Sequence, residues 1–223
     1  MTLSLVARGE GGAFGMVVAS SSPAVAARCL HLRPGVGAAA SQNVTDPGLG
    51  PALLDLMAEG TFAPDAVATL ASRAPFAQHR QITAVDTTGR TGVHTGADAL
   101  GVVGSSADEN CLAAGNLLDN PEVLEAMTTA FRESAGTPLE RRLLAALQAG
   151  LDRGGEAGPL RSAGLAVVED VAWRTTDLRV DDHDRPVAEL GRLLDLWMPQ
   201  KQDYLDRALR PGAAPSYGVP GDE

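Results

Sequence analysis

Residues 1–9 read MTLSLVARG and residues 13–22 read AFGMVVASSS, with the glycine-rich GEGG of residues 9–12 where the two meet. In the first stretch Leu3, Leu5 and Ala7 alternate with Ser4, Val6 and Arg8, the two-residue period of a strand. The second is an apolar run containing β-branched Val17 and Val18, and Pro23 forces the chain out of any sheet after it. Two such runs about a glycine-rich turn predict an antiparallel hairpin at the start of the chain. Residues 35–43, GVGAAASQN, then predict a third strand of very small side chains, which suit close approach by another layer or by a ligand.

The pattern changes after Asn43. Residues 46–60 and 61–75 predict two helices, the first opened by Asp46 and Pro47 and closed by Gly60, the second opened near Pro64 and Asp65 and stopped before Pro75. Residues 79–96 predict a hairpin turning at Thr88 and Gly89, and residues 109–116 a short strand ending in Gly115 and Asn116. Two helices follow over 120–134 and 138–155, then a strand pair over 161–170 and 176–183, then helical segments at 186–197 and 203–209. Blocks of strands alternating with blocks of helices predict a layered α+β domain over residues 1–210, with a Pro/Gly-rich tail over 211–223.

Composition limits the partners. The 223 residues carry a formal charge of −10, and Lys201 is the one lysine. A nucleic acid or an anionic membrane requires a basic footprint, so neither is expected. No stretch approaches the length of a transmembrane span. No basic leader precedes the first apolar run, so the mature protein is expected to begin at Met1 or Thr2. Cys29 and Cys111 form neither a disulfide framework nor a metal cluster, and a reducing, cytoplasmic location is expected. His31, His79 and His94 lack a second histidine at helical spacing. The acidic residues of RVDDHDRP (179–186) read as the start of a helix, so no metal and no cofactor are expected.

Several residues bear on chemistry. Thr2 becomes the first residue if Met1 is trimmed, and a terminal threonine carries a hydroxyl nucleophile and an amine base together. Ser20, Ser21 and Ser22 end the second strand beside the start of the first. Ser41, Gln42 and Asn43, and likewise Gly115 and Asn116, lie at strand ends where amide donors meet an oxyanion, although plain strand termini explain them as well.

Six stretches in order resemble a known family, catalogued as domain of unknown function 1028. They are MTLSLVAR, GMVVASSSPAVAARC, GVGAAASQNVTDPGLGPALLDLM, HRQITAVDTTGRTGVHTG, CLAAGNLL and LRVDDHDRPVAELGRLL, spanning roughly residues 1 to 197. That resemblance implies an αββα sandwich of two antiparallel sheets, of the N-terminal-nucleophile hydrolase type. It implies Thr2 as nucleophile, the Ser41–Asn43 strand end (with Gln42) as the oxyanion region, and Gly115 and Asn116 close by. The proteasome-type members place a lysine beside the nucleophile, and Lys201 is too late in the chain to match. Arg28, Arg33 or Arg161 is left to supply positive charge, and arginine does not shuttle protons. The expected activity is hydrolysis of a small amide, N-acyl or carbamoyl compound. Thr2, Ser21, Gln42, Asn43 and Asn116 are the candidate catalytic residues, and Ser20, Ser22, Arg28, Ser41 and Gly115 the candidate substrate-binding ones. Two alternatives stand beside it: a binding or assembly protein without chemistry, and a hydrolase using the Ser20–Ser22 cluster. A homo-oligomer, dimer or higher, is expected, with Tyr217 and Val219 as candidate anchors of the tail on a neighbouring subunit and a free, solvated tail as the alternative.

Overall fold

The computed structural model describes residues 2–219, so Met1 and residues 220–223 of the tail lie outside the described residues. Ten strands form two antiparallel sheets. One sheet holds β1 (Thr2–Arg8), β2 (Phe14–Ser20), β7 (Gly104–Asp108), β8 (Cys111–Asn116), β9 (Ser162–Val168) and β10 (Arg174–Val180), in the order β10-β9-β2-β1-β8-β7. The other holds β3 (Leu30–Arg33), β4 (Gly37–Asn43), β5 (Arg80–Asp86) and β6 (Thr91–Thr95), in chain order.

The helices are α1 (Val25–Cys29), α2 (Leu49–Ala58), α3 (Ala63–Arg73), α4 (Glu122–Glu133), α5 (Leu139–Asp152), α6 (Pro186–Trp197) and α7 (Lys201–Leu209). Leu3, Leu5 and Ala7 point out of β1 into a core shared with Met127 and Phe131 of α4 and Leu143 and Leu147 of α5. Val6 of β1 points the other way, into a second core with Phe14, Met16 and Val18 of β2 and Ala38 and Ala40 of β4. Ala39, Ile82 and Ala84 form a third core with α2 and α3. The four layers are therefore helices, six-stranded sheet, four-stranded sheet, helices. Each large aliphatic side chain buried in these cores contributes roughly 1.5–3 kcal/mol of transfer free energy.

Small residues let neighbouring elements approach closely. A Cβ on Gly37 would sit 2.4 Å from the carbonyl oxygen of Val85 on β5, the adjacent strand of the same sheet. Gly150 plays the same part for α5: a Cβ there would meet Met127 Cγ at 2.8 Å.

The opening hairpin, the 79–96 hairpin, the closing strand pair and the longer helices lie where the sequence predicts them. The predicted third strand is the fourth, and it belongs to the second sheet, because α1 and β3 intervene. Strand β7 is an additional short edge strand of alternating exposure, GSSAD, with no apolar face to betray it. At the other end of the chain, Tyr217 packs edge-on to Tyr204, with ring centroids 6.3 Å apart. Arg207 lies over the Tyr217 ring and donates to the carbonyls of Pro215 and Ser216. The described part of the tail thus folds back on α7 of its own chain, while Val219 is exposed. Among the described residues, no helix is long and apolar enough to cross a membrane.

Candidate functional site

Strand β1 begins inside its sheet, not at a frayed end. Thr2 pairs with Asn116 of β8, and Leu3 pairs with Gly115 on one side and Ala19 of β2 on the other. Strand parity puts Thr2, Ser4 and Val6 on the face turned to the second sheet. Asn116 and Leu112 of β8, and Ser20, Val18 and Met16 of β2, occupy the same face. Thr2 is 4 % exposed in the chain that begins at Met1.

Polar side chains fill this end of the inter-sheet layer. The Ser4 hydroxyl donates to Gln42 Oε1 at 2.7 Å, and Gln42 Nε2 donates to Gln81 Oε1 at 2.8 Å. Asn116 Nδ2 donates to the same Gln81 oxygen at 3.3 Å. Gln81 Nε2 faces the carbonyls of Gly104 and Gly115 and the Thr95 hydroxyl, at 3.1, 3.2 and 3.2 Å. Ser4, Gln42, Gln81 and Asn116 are all buried. Paired within the protein, they fix Asn116 beside Thr2. Asn116 Oδ1 is buried without a partner, and a carboxamide nitrogen carries two N–H groups, of which Gln81 takes one. Beside Thr2, Asn116 therefore offers one acceptor and one donor.

The remaining candidates separate into groups. Gln42 and Asn116 meet at Gln81. Ser41 is turned to the opposite face of β4, towards α2 and α3, with its hydroxyl buried and unpartnered. Asn43, in the left-handed region at φ 70°, donates to the His79 carbonyl at 2.7 Å and accepts from Leu100 N–H, so its amide ties two loops together. Gly115 packs under Leu118, whose Cδ2 would lie 2.7 Å from an added Cβ.

The serines form a second cluster at the end of β2. Ser20 Oγ and Ser22 Oγ lie 2.9 Å apart, and Arg28 Nη2 donates to Ser22 Oγ at 2.9 Å. Ser162 donates to the Ser22 carbonyl and accepts from Val25 N–H. Ser21 turns its backbone N–H to Glu156 Oε2 at 3.1 Å.

Glu156 was not singled out by the sequence, where it is one acidic residue between Gly155 and Ala157 in a glycine-rich loop. It is 7 % exposed and its Oε1 is buried without a partner. Burial pushes its carboxyl up to about 7, against the opposing pull of the positive charge at the chain's amino terminus and of the hydrogen bonds from Ser21.

Arg33, Arg161 and Lys201 are each engaged by carboxylates. Arg33 pairs with Asp55, and Arg161 with Asp182 and Asp184. Lys201 is held by Glu140 at 2.7 Å and Glu169 at 2.9 Å, against β10 and α6. Among the described residues, no three His, Cys, Asp or Glu side chains converge as a metal site.

A family described as "Family of unknown function (DUF1028)" matches residues 2–190. The solved structure of protein SPO2555 from Silicibacter pomeroyi, described with the same family, is 31% identical and covers 91% of this chain and 89% of its own, with a TM-score of 0.84. Anbu (ancestral beta-subunit) from Yersinia bercovieri is 13% identical, covers 89% of this chain and 97% of its own, and superposes with a TM-score of 0.41. No curated protein matches.

Proposed function

The chain belongs to the DUF1028 family, and on the setting of its first strand we propose that it is an amide-bond hydrolase working through Thr2 as an N-terminal nucleophile. The observation that carries this reading is the pairing of Thr2 with Asn116 within a sheet, facing the polar end of the inter-sheet layer. A nucleophile on a paired strand is held in place by its neighbours' hydrogen bonds, where one on a loose end is not.

The chemistry follows from the groups present. Once Met1 is removed, Thr2 Oγ attacks the carbonyl carbon and its proton passes to the residue's own amine. An α-amine has a reference pKa of about 7.7–8.0, so a useful fraction is neutral at working pH. The second N–H of Asn116 donates to the oxyanion. The protonated amine returns its proton to the leaving nitrogen as the C–N bond breaks, and water then hydrolyses the ester on Thr2. Asn116 Oδ1 is an acceptor for an N–H next to the scissile carbonyl, which favours a small amide, N-acyl or carbamoyl substrate. The reading also carries a cytoplasmic location and a homo-oligomer, the latter measurable as solution mass.

Turnover of a panel of N-acyl and N-carbamoyl amino acids by the wild type, Thr2→Ser and Thr2→Ala tests the reading. Thr2→Ala is expected to lose roughly 10³-fold or more, with Thr2→Ser keeping part of the rate. Full activity in Thr2→Ala would refute it. The hydrogen-bonded Ser20–Ser22–Arg28 cluster favours a second reading, a serine nucleophile needing no free terminus. In that case Ser20→Ala or Ser22→Ala removes activity and Thr2→Ala does not.

A further inference from the structure

Both neighbours of β1 end level with its beginning, β8 at Asn116 and β2 at Ser20. After a left-handed turn at Leu117, Leu118 forms an isolated antiparallel bridge with Glu156. The residue after β2, Ser21, donates its N–H to Glu156 Oε2. Since β1 lies between β2 and β8 and starts at Thr2, Glu156 touches the segments that leave both of its neighbours at the end of the sheet where Thr2 lies. Its second carboxylate oxygen is buried and has no partner. A carboxylate oxygen withdrawn from water without a hydrogen bond is costly, on the order of 1–3 kcal/mol or more. Such a group persists where a donor comes to it.

We propose that Glu156 is the positioning residue for the Thr2 α-amine of the trimmed chain, its free oxygen accepting the amine N–H and exchanging one proton with it. The proposal rests on the N-terminal-nucleophile reading above. The step balances simply: the ammonium yields one proton to the carboxylate, leaving a neutral amine beside Thr2 Oγ and a carboxylic acid at Glu156. Burial raises the Glu156 carboxyl above the usual carboxylate range and towards the reference value of an α-amine. The charged groups that line a cavity of about 390 Å³ with Glu156 are Asp184 and Arg185, and Asp119 lies close by, its N–H donating to the Gly155 carbonyl.

Protein carrying ¹³C-threonine, with the Thr2 signals assigned as those lost in Thr2→Ser, reads the amine's titration without modifying it. Intact mass first establishes whether Met1 is absent. In the trimmed wild type, the Thr2 Cα and Cβ shifts are expected to titrate in two coupled steps, one near neutrality from Glu156. In Glu156→Gln the neutral step should vanish and the amine step fall by at least about one pH unit. Identical curves in the two proteins overturn the role of Glu156 and leave Thr2 as nucleophile standing. A retained Met1 overturns both together. If Glu156→Gln does not fold, a single-step curve in the wild type is by itself the contrary result. A carboxylate that only anchors Ser21 would leave the Thr2 titration unmoved.

Discussion

The Ser4 hydroxyl donates a 2.7 Å hydrogen bond to Gln42 Oε1 across the space between the two sheets. That contact joins the strand carrying the candidate nucleophile to the strand carrying the predicted oxyanion residues. Gln42 passes the connection to Gln81, and Gln81 to Asn116, which returns it to Thr2 through the β1–β8 pairing. The loop of contacts closes around one end of the inter-sheet layer, so the position of Thr2 depends on residues from four strands.

Gln81 is the node of that loop, and Gln81→Leu is expected to be severe. It leaves Gln42 Nε2, Asn116 Nδ2 and the Gly115 carbonyl without their shared partner in a buried setting. At about 1–3 kcal/mol per orphaned group, the loss should exceed about 3 kcal/mol. Urea unfolding measures it, and a loss under about 1 kcal/mol would show that the network is not the tie between the sheets.

Glu156 predicts a falling pH dependence. Its carboxyl is raised from 4.5 to about 7 in the folded protein, so between these values the folded state holds a proton that the unfolded state has released. Stability therefore declines as pH rises from 4.5 to 7 and levels off above, by up to about 3 kcal/mol. Glu156→Gln should flatten this part of the profile and be the more stable protein at pH 8. An unchanged slope in Glu156→Gln would mean that the carboxyl titrates normally.

Asp86 predicts the opposite slope. Burial alone would raise its carboxyl, but hydrogen bonds from the backbone of Ala63, Thr88 and Arg90 and from the Thr88 hydroxyl hold it below 3.8. Its stabilisation is complete above the unfolded value and is lost as pH falls through the folded one. The same carboxylate binds the first N–H of α3 and the turn of the β5–β6 hairpin, so Asp86→Ala should cost about 2–3 kcal/mol by thermal or urea unfolding at pH 7. A neutral Asp86→Ala would remove it as the link between the two elements.

The cysteines should be inert. Burial pushes Cys111 up to about 12 and also raises Cys29. Thiolate is the reactive form, so neither should react with a disulfide reagent at pH 8 in native protein, and both should react at once in denaturant. Rapid native labelling of either thiol would contradict this.

Much of the fold was legible because its elements announce themselves locally. Residues 2–8 alternate and an apolar run follows a glycine-rich turn, α4 and α5 have Pro at their start and apolar residues at helical spacing, and the Thr88–Gly89 turn marks its hairpin. What escaped notice lacks such signals: α1 and β3 are five and four residues long, and β7, GSSAD, has no large apolar side chain. The candidate site was half legible. Thr2, Gln42 and Asn116 fall at strand ends, and strand ends can be read. Gln81 and Glu156 become meaningful only through sheet order, which brings residue 81 against 42 and 116, and residue 156 against 21 and 118. No local pattern encodes those pairings.

Treatment of the purified full-length protein with a β-lactone acylating probe, followed by mapping of the adduct on the intact chain, addresses the nucleophile itself. A single adduct on the hydroxyl of Thr2, in chains lacking Met1 and absent from Thr2→Ala, is the expected result. An adduct on Ser20, Ser21 or Ser22, or labelling unchanged in Thr2→Ala, would contradict it.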